Sequence, residues 1–262
     1  MPDITTPAPP APQADLDAFA ALVRATGEVT LRWFRSPALD VEVKGDGTPV
    51  TAADKAAERF LREAIAADHP GDAVLGEEED DTEGTTGRTW VIDPIDGTKA
   101  FTHGVPLYST LVALDDEHGP LLAAIALPAL GELVVAGRGL GCWSDGEPAQ
   151  VSGRDRLDGA LVCTSGFGTW SPELLARFHG AEDTLLRTWG DGFGFALVAT
   201  GRAEVMLDPR AAHWDVAPMP LILSEAGGRF TDVTGRAGAT HGSGVATNGA
   251  LHDVVLSMIG GA

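Results

Sequence analysis

The chain has 262 residues, 44% of them apolar, and a formal net charge of −20 from 38 acidic and 18 basic residues. This composition suits one large domain with a sizeable core and lacks the basic footprint typical of nucleic-acid-binding proteins. The two cysteines, Cys142 and Cys163, form no paired framework. A disulfide scaffold is therefore not expected, and a reducing compartment fits.

The Pro- and Ala-rich start of the chain predicts a disordered tail over residues 1–14. It lacks the cationic start and apolar stretch of a secretory signal, and no apolar run approaches the ~18 residues of a membrane span. We therefore expect a cytoplasmic protein with a single domain over residues 15–262. Its predicted halves are an antiparallel-sheet half (15–154) and an α/β half (155–262).

The first predicted helix covers residues 15–34, where apolar residues recur at helical spacing. Residues 41–50 predict an extended segment that is broken by a Gly-Asp-Gly turn. Thr51 and Asp54 have the spacing of a capping box. They predict the start of an amphipathic helix over 52–67.

Strands are predicted at 73–76 and 89–93, and three later apolar runs predict an antiparallel meander. Beyond residue ~155 strands and helices alternate, which indicates an α/β arrangement. The elements predicted there are a strand at 160–166, a helix at 171–180, a helix at 193–201, a strand at 202–209, a helix at 213–228 and a helix at 249–259.

The most informative segment is "WVIDPIDGT" (90–98). Pro94 cannot donate a ladder hydrogen bond, so the strand must end or become an edge there. Asp93, Asp96 and the Ile95 carbonyl supply three hard oxygen donors within four residues, which suits Mg²⁺. The alternative is an ordinary surface turn, since Asp-Pro and Asp-Gly favour turns.

Three further features bear on that choice. Gly97 and Thr98 offer backbone N–H groups that would seat a phosphate if a helical turn begins there. Glu77 follows a short apolar strand, where it is either a converging ligand or part of a solvated acidic loop. Asp215 lies in the first turn of a predicted helix, where the helix dipole alone would favour an acid.

Together, the segments "TPVTAAD", "LGEEE", "WVIDPIDGTKAF" and "HWDVAP" resemble the inositol monophosphatase family of Mg²⁺-dependent, lithium-sensitive phosphatases. The resemblance covers nearly everything after residue ~15. It implies an α/β (α+β) fold, the layered αβαβα sandwich of the inositol monophosphatase/fructose-bisphosphatase type. It also implies two or three Mg²⁺ ions per active site, a small phosphate ester as substrate and a homodimer, with no nucleic-acid or membrane partner.

The resemblance assigns roles to individual residues. The implied metal ligands are Glu77, Asp93, the Ile95 carbonyl, Asp96 and Asp215. Glu77 would also share a third ion, with Asp54 nearby. The catalytic set is Glu77, Thr98, Asp54 and Asp93.

In this scheme a metal-activated water, oriented by Glu77 and Thr98, attacks phosphorus in line. The Thr98 hydroxyl would pair with Asp54 near that water, and Gly97 and Thr98 would bind the phosphate. Lys44 matches the family loosely, and its role stays open.

The segment at 187–209 resembles the histidinol-phosphatase branch of the family. Asp191 would bind the primary amine of histidinol phosphate through a charge-assisted hydrogen bond. The alternative for Asp191 is an N-cap of the helix that follows. Asp208 falls where the family places an acid at the far end of the substrate.

Trp189 or Phe193 would face the imidazole ring, or else pack in the core. With Gly97, Thr98, Asp96 and Asp215, the two acids Asp191 and Asp208 complete the predicted substrate-binding set. His213 is not assigned to metal. The alternative substrates are inositol 1-phosphate or another sugar phosphate. A nucleotide substrate is not favoured, because its site would need basic residues and residues 155–215 contain few of them. A remote alternative is a non-catalytic metal- or phosphate-binding protein.

Overall fold

The computed structural model describes residues 8–45, 49–181 and 183–260. Its helices are α1 (Gln13–Leu31), α2 (Ala52–Asp68), α3 (Thr98–Thr102), α4 (Pro172–His179), α5 (Asp191–Ala199), α6 (His213–Val216), α7 (Met219–Glu225) and α8 (His252–Gly260). Its strands are β1 (Val41–Val43), β2 (Pro49–Thr51), β3 (Ala73–Gly76), β4 (Thr89–Asp96), β5 (Ser109–Asp116), β6 (Gly119–Leu127), β7 (Glu132–Gly137), β8 (Gly141–Ser144), β9 (Glu147–Pro148), β10 (Leu161–Cys163), β11 (Leu185–Arg187), β12 (Val205–Asp208), β13 (Arg229–Thr231) and β14 (Gly244–Thr247).

Two large sheets form the centre of the fold. The seven-stranded sheet has the order β3-β4-β5-β6-β7-β8-β9, and all its pairs are antiparallel except β3 with β4. The predicted meander is therefore confirmed. The five-stranded sheet has the order β11-β10-β12-β14-β13 and is mixed, because β10 runs parallel to β11 and β12 while β14 runs antiparallel to its neighbours.

Helices cover both faces of each sheet. Helices α1 and α2 pack on one face of the seven-stranded sheet, where Phe19 stacks on Trp90. Helices α5 and α7 lie between the two sheets. Helices α4 and α8 cover the outer face of the five-stranded sheet. This order of layers confirms the predicted αβαβα sandwich, which the burial of apolar side chains between successive layers stabilises.

Some predicted boundaries differ from the structure. Helix α1 begins at Gln13, and the buried Ala11 donates its N–H to the Arg138 carbonyl, so order begins before the predicted end of the tail. Residues 1–7 lie outside the described residues, as do Asp46 and Gly47 of the predicted Gly-Asp-Gly turn. The single helix predicted at 213–228 is two helices, α6 and α7, because Pro218 lies at the junction and cannot donate a helical hydrogen bond. None of the described helices is long and apolar enough to span a membrane.

Strand β4 carries the central motif and does not stop at Pro94. Its pairing with β3 ends at Ile92, so the missing N–H of Pro94 faces no partner strand on that side. On the other side the register with β5 is interrupted between Asp93 and Asp96, and Thr110 donates its hydroxyl to the Pro94 carbonyl. The sequence predicted that the strand either ends at Pro94 or becomes an edge there, and the structure shows the second alternative.

Candidate active site

A cleft of about 850 Å³ opens where β4 ends, beside the first residues of α3, α5 and α6. The predicted site residues that line it are Glu77, Asp93, Ile95, Asp96, Gly97, Thr98, Asp191 and Asp215. Four further residues line it: Lys99 and Trp214, which lie within two of the quoted motifs but had no predicted role, and Ser165 and Arg210, which lie outside them.

Asp93, Asp96 and Asp215 form a carboxylate cluster. One oxygen from each lies within 4.8 Å of the others. The structure therefore brings together three of the predicted metal ligands, from β4 and α6.

Each carboxylate of the cluster is held by hydrogen bonds from nearby groups. The Ile95 N–H donates to Asp93 Oδ1 at 3.1 Å, and the Ala212 N–H donates to Asp215 Oδ2 at 2.7 Å. Asp96 Oδ2 accepts from the Ser109 hydroxyl at 2.6 Å and from the Gly192 N–H. These hydrogen bonds orient the three carboxylates.

The charges in this cluster are poorly solvated. Burial, followed by the negative charge of neighbouring acids, raises the pKa of Asp93 and of Asp96 well above the usual range. Burial also raises the pKa of Asp215 to about 7, although the Ala212 N–H opposes the shift. Acids buried together in this way are expected to be paired or to coordinate metal. A hard divalent cation with oxygen ligands fits this donor set.

Glu77 lines the cleft but accepts a hydrogen bond from the Lys44 ammonium at 2.7 Å. The same ammonium also bonds Glu78 at 2.7 Å. Lys44 therefore gives Glu77 a positive partner in the structure. A metal ion bound at Glu77 would replace the Lys44 ammonium as the positive partner of that carboxylate. Lys44 would then balance the charge of Glu77 when no metal is bound, a role that the sequence left open.

The loop that carries Glu77 is anchored by Glu58 on α2. The Glu58 carboxylate is fully buried and accepts from the backbone N–H groups of Glu78 and Glu79, at 2.9 and 3.0 Å. Arg62 balances its charge through an ion pair at 2.9 Å. No local pattern predicted this support, because the partners lie 20 residues apart or more along the chain.

The predicted pairing of Thr98 with Asp54 is not present. The Thr98 hydroxyl donates to the Ile95 carbonyl at 3.2 Å. Asp54 Oδ2 instead closes the predicted capping box, accepting from the N–H and hydroxyl of Thr51 at 2.8 and 2.6 Å. Its other oxygen, Oδ1, is buried and has no hydrogen-bond partner among the described residues.

Asp191 is the first residue of α5 and lies on the cleft wall. The helix is capped by Gly190, so the alternative in which Asp191 is the N-cap is wrong. Its carboxylate lies against Gly97, since a Cβ added there would be 2.9 Å from Asp191 Oδ2. Burial raises the pKa of Asp191 to about 6, while Lys99 opposes that shift.

Asp208 and the aromatic residues are placed differently from expectation. Asp208 is buried and does not line the cleft. Its carboxylate accepts hydrogen bonds from Thr164 and Ser165. The structure therefore does not place Asp208 in contact with a substrate in the cleft. Phe193 packs against the core, which was the alternative to contact with the imidazole ring. Trp189 is 41% exposed, with the Arg187 guanidinium over its ring. His213 is half-buried and does not line the cleft.

Comparison with known proteins agrees with this geometry. A model of the inositol monophosphatase family matches residues 13–259. A histidinol-phosphatase of Mycobacterium tuberculosis is 40% identical over 253 residues, which cover 94% of this chain and 97% of that protein. An inositol-1-monophosphatase of Rhizobium meliloti is 34% identical, with 85% and 84% covered. The solved structure of the IMPase of Thermotoga maritima has a TM-score of 0.86 at 29% identity and covers 95% and 98%. The chain is therefore a phosphoric monoester hydrolase and belongs to the inositol monophosphatase family.

Proposed function

We propose that this protein is a Mg²⁺-dependent histidinol-phosphatase, which hydrolyses L-histidinol phosphate to L-histidinol and phosphate in histidine biosynthesis. The observation that carries the proposal is the position of the Asp191 carboxylate against Gly97, at the start of the predicted phosphate site. A relative that is 40% identical and is named histidinol-phosphatase supports it.

The donor set fits magnesium, and the predicted ligands are Glu77, Asp93, the Ile95 carbonyl, Asp96 and Asp215. When bound, two or three Mg²⁺ ions would neutralise phosphoryl oxygens, lower the pKa of a water molecule and stabilise the leaving oxygen. These are the effects that hydrolysis of a phosphate monoester, an anion that repels nucleophiles, requires.

The chain itself would bind and orient the reactants. Gly97 is the N-cap of α3 and Thr98 is its first residue. Their backbone N–H groups would donate to the phosphate, because the first N–H groups of a helix have no partner within it. Glu77 and the Thr98 hydroxyl would orient the attacking water in line with the leaving oxygen. For this, Glu77 must exchange the Lys44 ammonium for the ion.

The location of Asp191 matches the shape of the substrate. In histidinol phosphate the amine is on the carbon next to the one that carries the ester oxygen. An amine acceptor must therefore lie close to the phosphate site, and Asp191 does, because it borders Gly97. A charge-assisted hydrogen bond to the ammonium would be stronger than one to a sugar hydroxyl.

The test is a substrate panel on wild type and Asp191→Ala, with and without Mg²⁺. We expect wild type to prefer histidinol phosphate over inositol 1-phosphate. Loss of a charged hydrogen bond of about 1.5–3 kcal/mol should raise KM for histidinol phosphate about 10- to 100-fold and leave KM for inositol 1-phosphate nearly unchanged. Equal changes on the two esters would remove Asp191 from amine recognition.

A second variant tests the chemistry separately from selectivity. Asp93→Asn should nearly abolish turnover of every ester, because Asp93 is predicted to be a metal ligand. The fold should survive, as the amide is isosteric with the carboxyl group. Near-normal turnover in Mg²⁺ would show that Asp93 has no metal role.

The second candidate is an inositol-1-phosphate or other sugar-phosphate phosphatase, which the 34% identical relative named inositol-1-monophosphatase favours. Asp191 would then contact a hydroxyl group, and turnover of the inositol ester would equal or exceed that of histidinol phosphate. A chain without Mg²⁺-stimulated activity on any ester would support the non-catalytic alternative. The homodimer, the cytoplasmic location and the single-domain organisation stay predictions, to be tested by light scattering, cell fractionation and limited proteolysis.

A further inference from the structure

Asp191 is held in an uncommon backbone conformation. Its φ is +53°, in the left-handed region that residues other than glycine seldom adopt. The glycines on either side have no room for a side chain, since a Cβ on Gly190 would lie 2.1 Å from Ser165 Cα and one on Gly192 would lie 2.3 Å from Ser109 Oγ. The first residues of α5 therefore pack closely against β5 and against Ser165, just after β10.

The Ser165 hydroxyl fixes the backbone of Asp191. It accepts the Asp191 N–H at 2.8 Å. That N–H is the first of the helix and has no acceptor within it. Ser165, which lies 26 residues earlier in the chain, therefore supplies the hydrogen-bond acceptor for the Asp191 N–H.

Asp208 in turn orients the Ser165 hydroxyl. The hydroxyl donates its one proton to Asp208 Oδ2 at 2.5 Å, which leaves its lone pairs free to accept from Asp191. The other oxygen, Oδ1, accepts from the Ser165 N–H at 2.9 Å and from the Thr164 hydroxyl at 3.2 Å. Asp208 is 8% exposed, and both its oxygens are engaged.

We propose that Ser165, oriented by the buried Asp208, is a positioning residue that holds the Asp191 carboxylate at the cleft and so sets selectivity for a phosphate ester that carries an amine. The inference rests on the proposed function, because it assigns Asp191 to the amine. It gives Asp208 an effect on substrate selection that requires no contact with substrate.

The test measures KM and kcat of Ser165→Ala on L-histidinol phosphate and on inositol 1-phosphate. We expect KM for histidinol phosphate to rise about threefold to tenfold, the range for loss of one neutral hydrogen bond. KM for the inositol ester and both kcat values should stay within about twofold, the resolution of such a comparison. Ser152→Ala is the matched control, because Ser152 also donates to a buried acid, Glu204, but does not line the cleft.

A double-mutant cycle separates positioning from other roles. If Ser165 acts through Asp191, Ser165→Ala should add almost nothing to KM in the Asp191→Ala background. An undiminished effect in that background would indicate direct contact between Ser165 and substrate and would overturn the inference. Equal losses on both esters would do the same, because they would indicate a general structural role.

The outcomes also separate this inference from the proposed function. If Asp191→Ala affects only histidinol phosphate while Ser165→Ala affects neither ester, the positioning role alone is wrong. If Asp191→Ala affects both esters equally, amine recognition by Asp191 is wrong whatever Ser165→Ala does. Should Ser165→Ala fail to fold, Asp208→Asn tests the same link, because an Asn whose Oδ1 still accepts the Ser165 N–H turns its Nδ2 towards the hydroxyl, which can then no longer donate to residue 208.

Discussion

Asp93→Asn is predicted to stabilise the metal-free protein. Two unit charges within 4.8 Å of each other repel by at least about 3.5 kcal/mol at an effective dielectric constant of about 20. The substitution removes both pairwise repulsions that involve Asp93, about 7 kcal/mol if all three acids were ionised. It keeps an Oδ1 that can accept the Ile95 N–H.

The measured gain should be smaller, because protonation already relieves part of the repulsion. The pKa of Asp215 is raised to about 7, so this acid is partly neutral near physiological pH. We therefore expect a gain of about 1–3 kcal/mol in the free energy of unfolding near pH 8. A pKa that is higher in the folded state means that metal-free wild type loses stability as pH rises through about 7, and Asp93→Asn should lose less.

The assay is urea unfolding in EDTA and then in Mg²⁺. Mg²⁺ at 100 times its dissociation constant should stabilise wild type by about 2.7 kcal/mol and the variant by little. Asp72→Asn is the matched control, because Asp72 is also buried but accepts from Thr86 and Trp90 outside the cluster. It should lose stability under both conditions and keep the full Mg²⁺ effect.

Two results would contradict this reasoning. If Asp93→Asn lowers metal-free stability as Asp72→Asn does, repulsion does not dominate at the cluster. If the variant keeps the full stabilisation by Mg²⁺, Asp93 does not bind the ion.

Further predictions concern residues around the site and in the core. Glu58→Gln should raise the Mg²⁺ concentration for half-maximal activity about tenfold with little change in kcat, since Glu58 anchors the loop of Glu77; an unchanged Mg²⁺ titration would exclude this support. Gly192→Ala should cost about 1–3 kcal/mol in unfolding free energy, because its Cβ would meet Ser109 Oγ; unaltered urea unfolding would contradict the close approach. Burial lowers the pKa of His252 to about 4, so wild type should lose stability relative to His252→Gln as pH falls from about 6.5 towards 4, and parallel pH profiles would refute this.

The sequence predicted best what is decided locally. The capping box at Thr51 and Asp54 depends on residues three positions apart, and it is present as predicted. The meander follows from apolar runs and turn residues in neighbouring segments. The short strands β11, β13 and β14 were not among the predicted elements. Three or four residues carry too little periodicity to indicate a strand, and long-range pairing decides their conformation.

In the site, too, local features were predictable from the sequence and long-range contacts were not. Asp93 and Asp96 lie on one strand end, so their proximity was predictable, and the resemblance grouped Asp215 with them, which lies in the same cluster in the structure. Contacts between distant segments were not predictable from local pattern. Lys44 and Glu77 lie 33 residues apart, and Ser165 meets Asp191 where Gly190 allows the two backbones to approach.

Asp54 shows why a local role and a functional role can share one residue. The capping box uses only Oδ2, and a capping acid on an exposed helix would leave its second oxygen in water. Here Oδ1 is buried without a partner among the described residues, and burial raises the pKa of Asp54 to about 6. A buried oxygen without a partner is costly, and the fold would gain stability from any donor or cation that reached it. The third ion that the resemblance places near Glu77 and Asp54 would supply that partner, and the cap would then aim the free oxygen as well as begin α2.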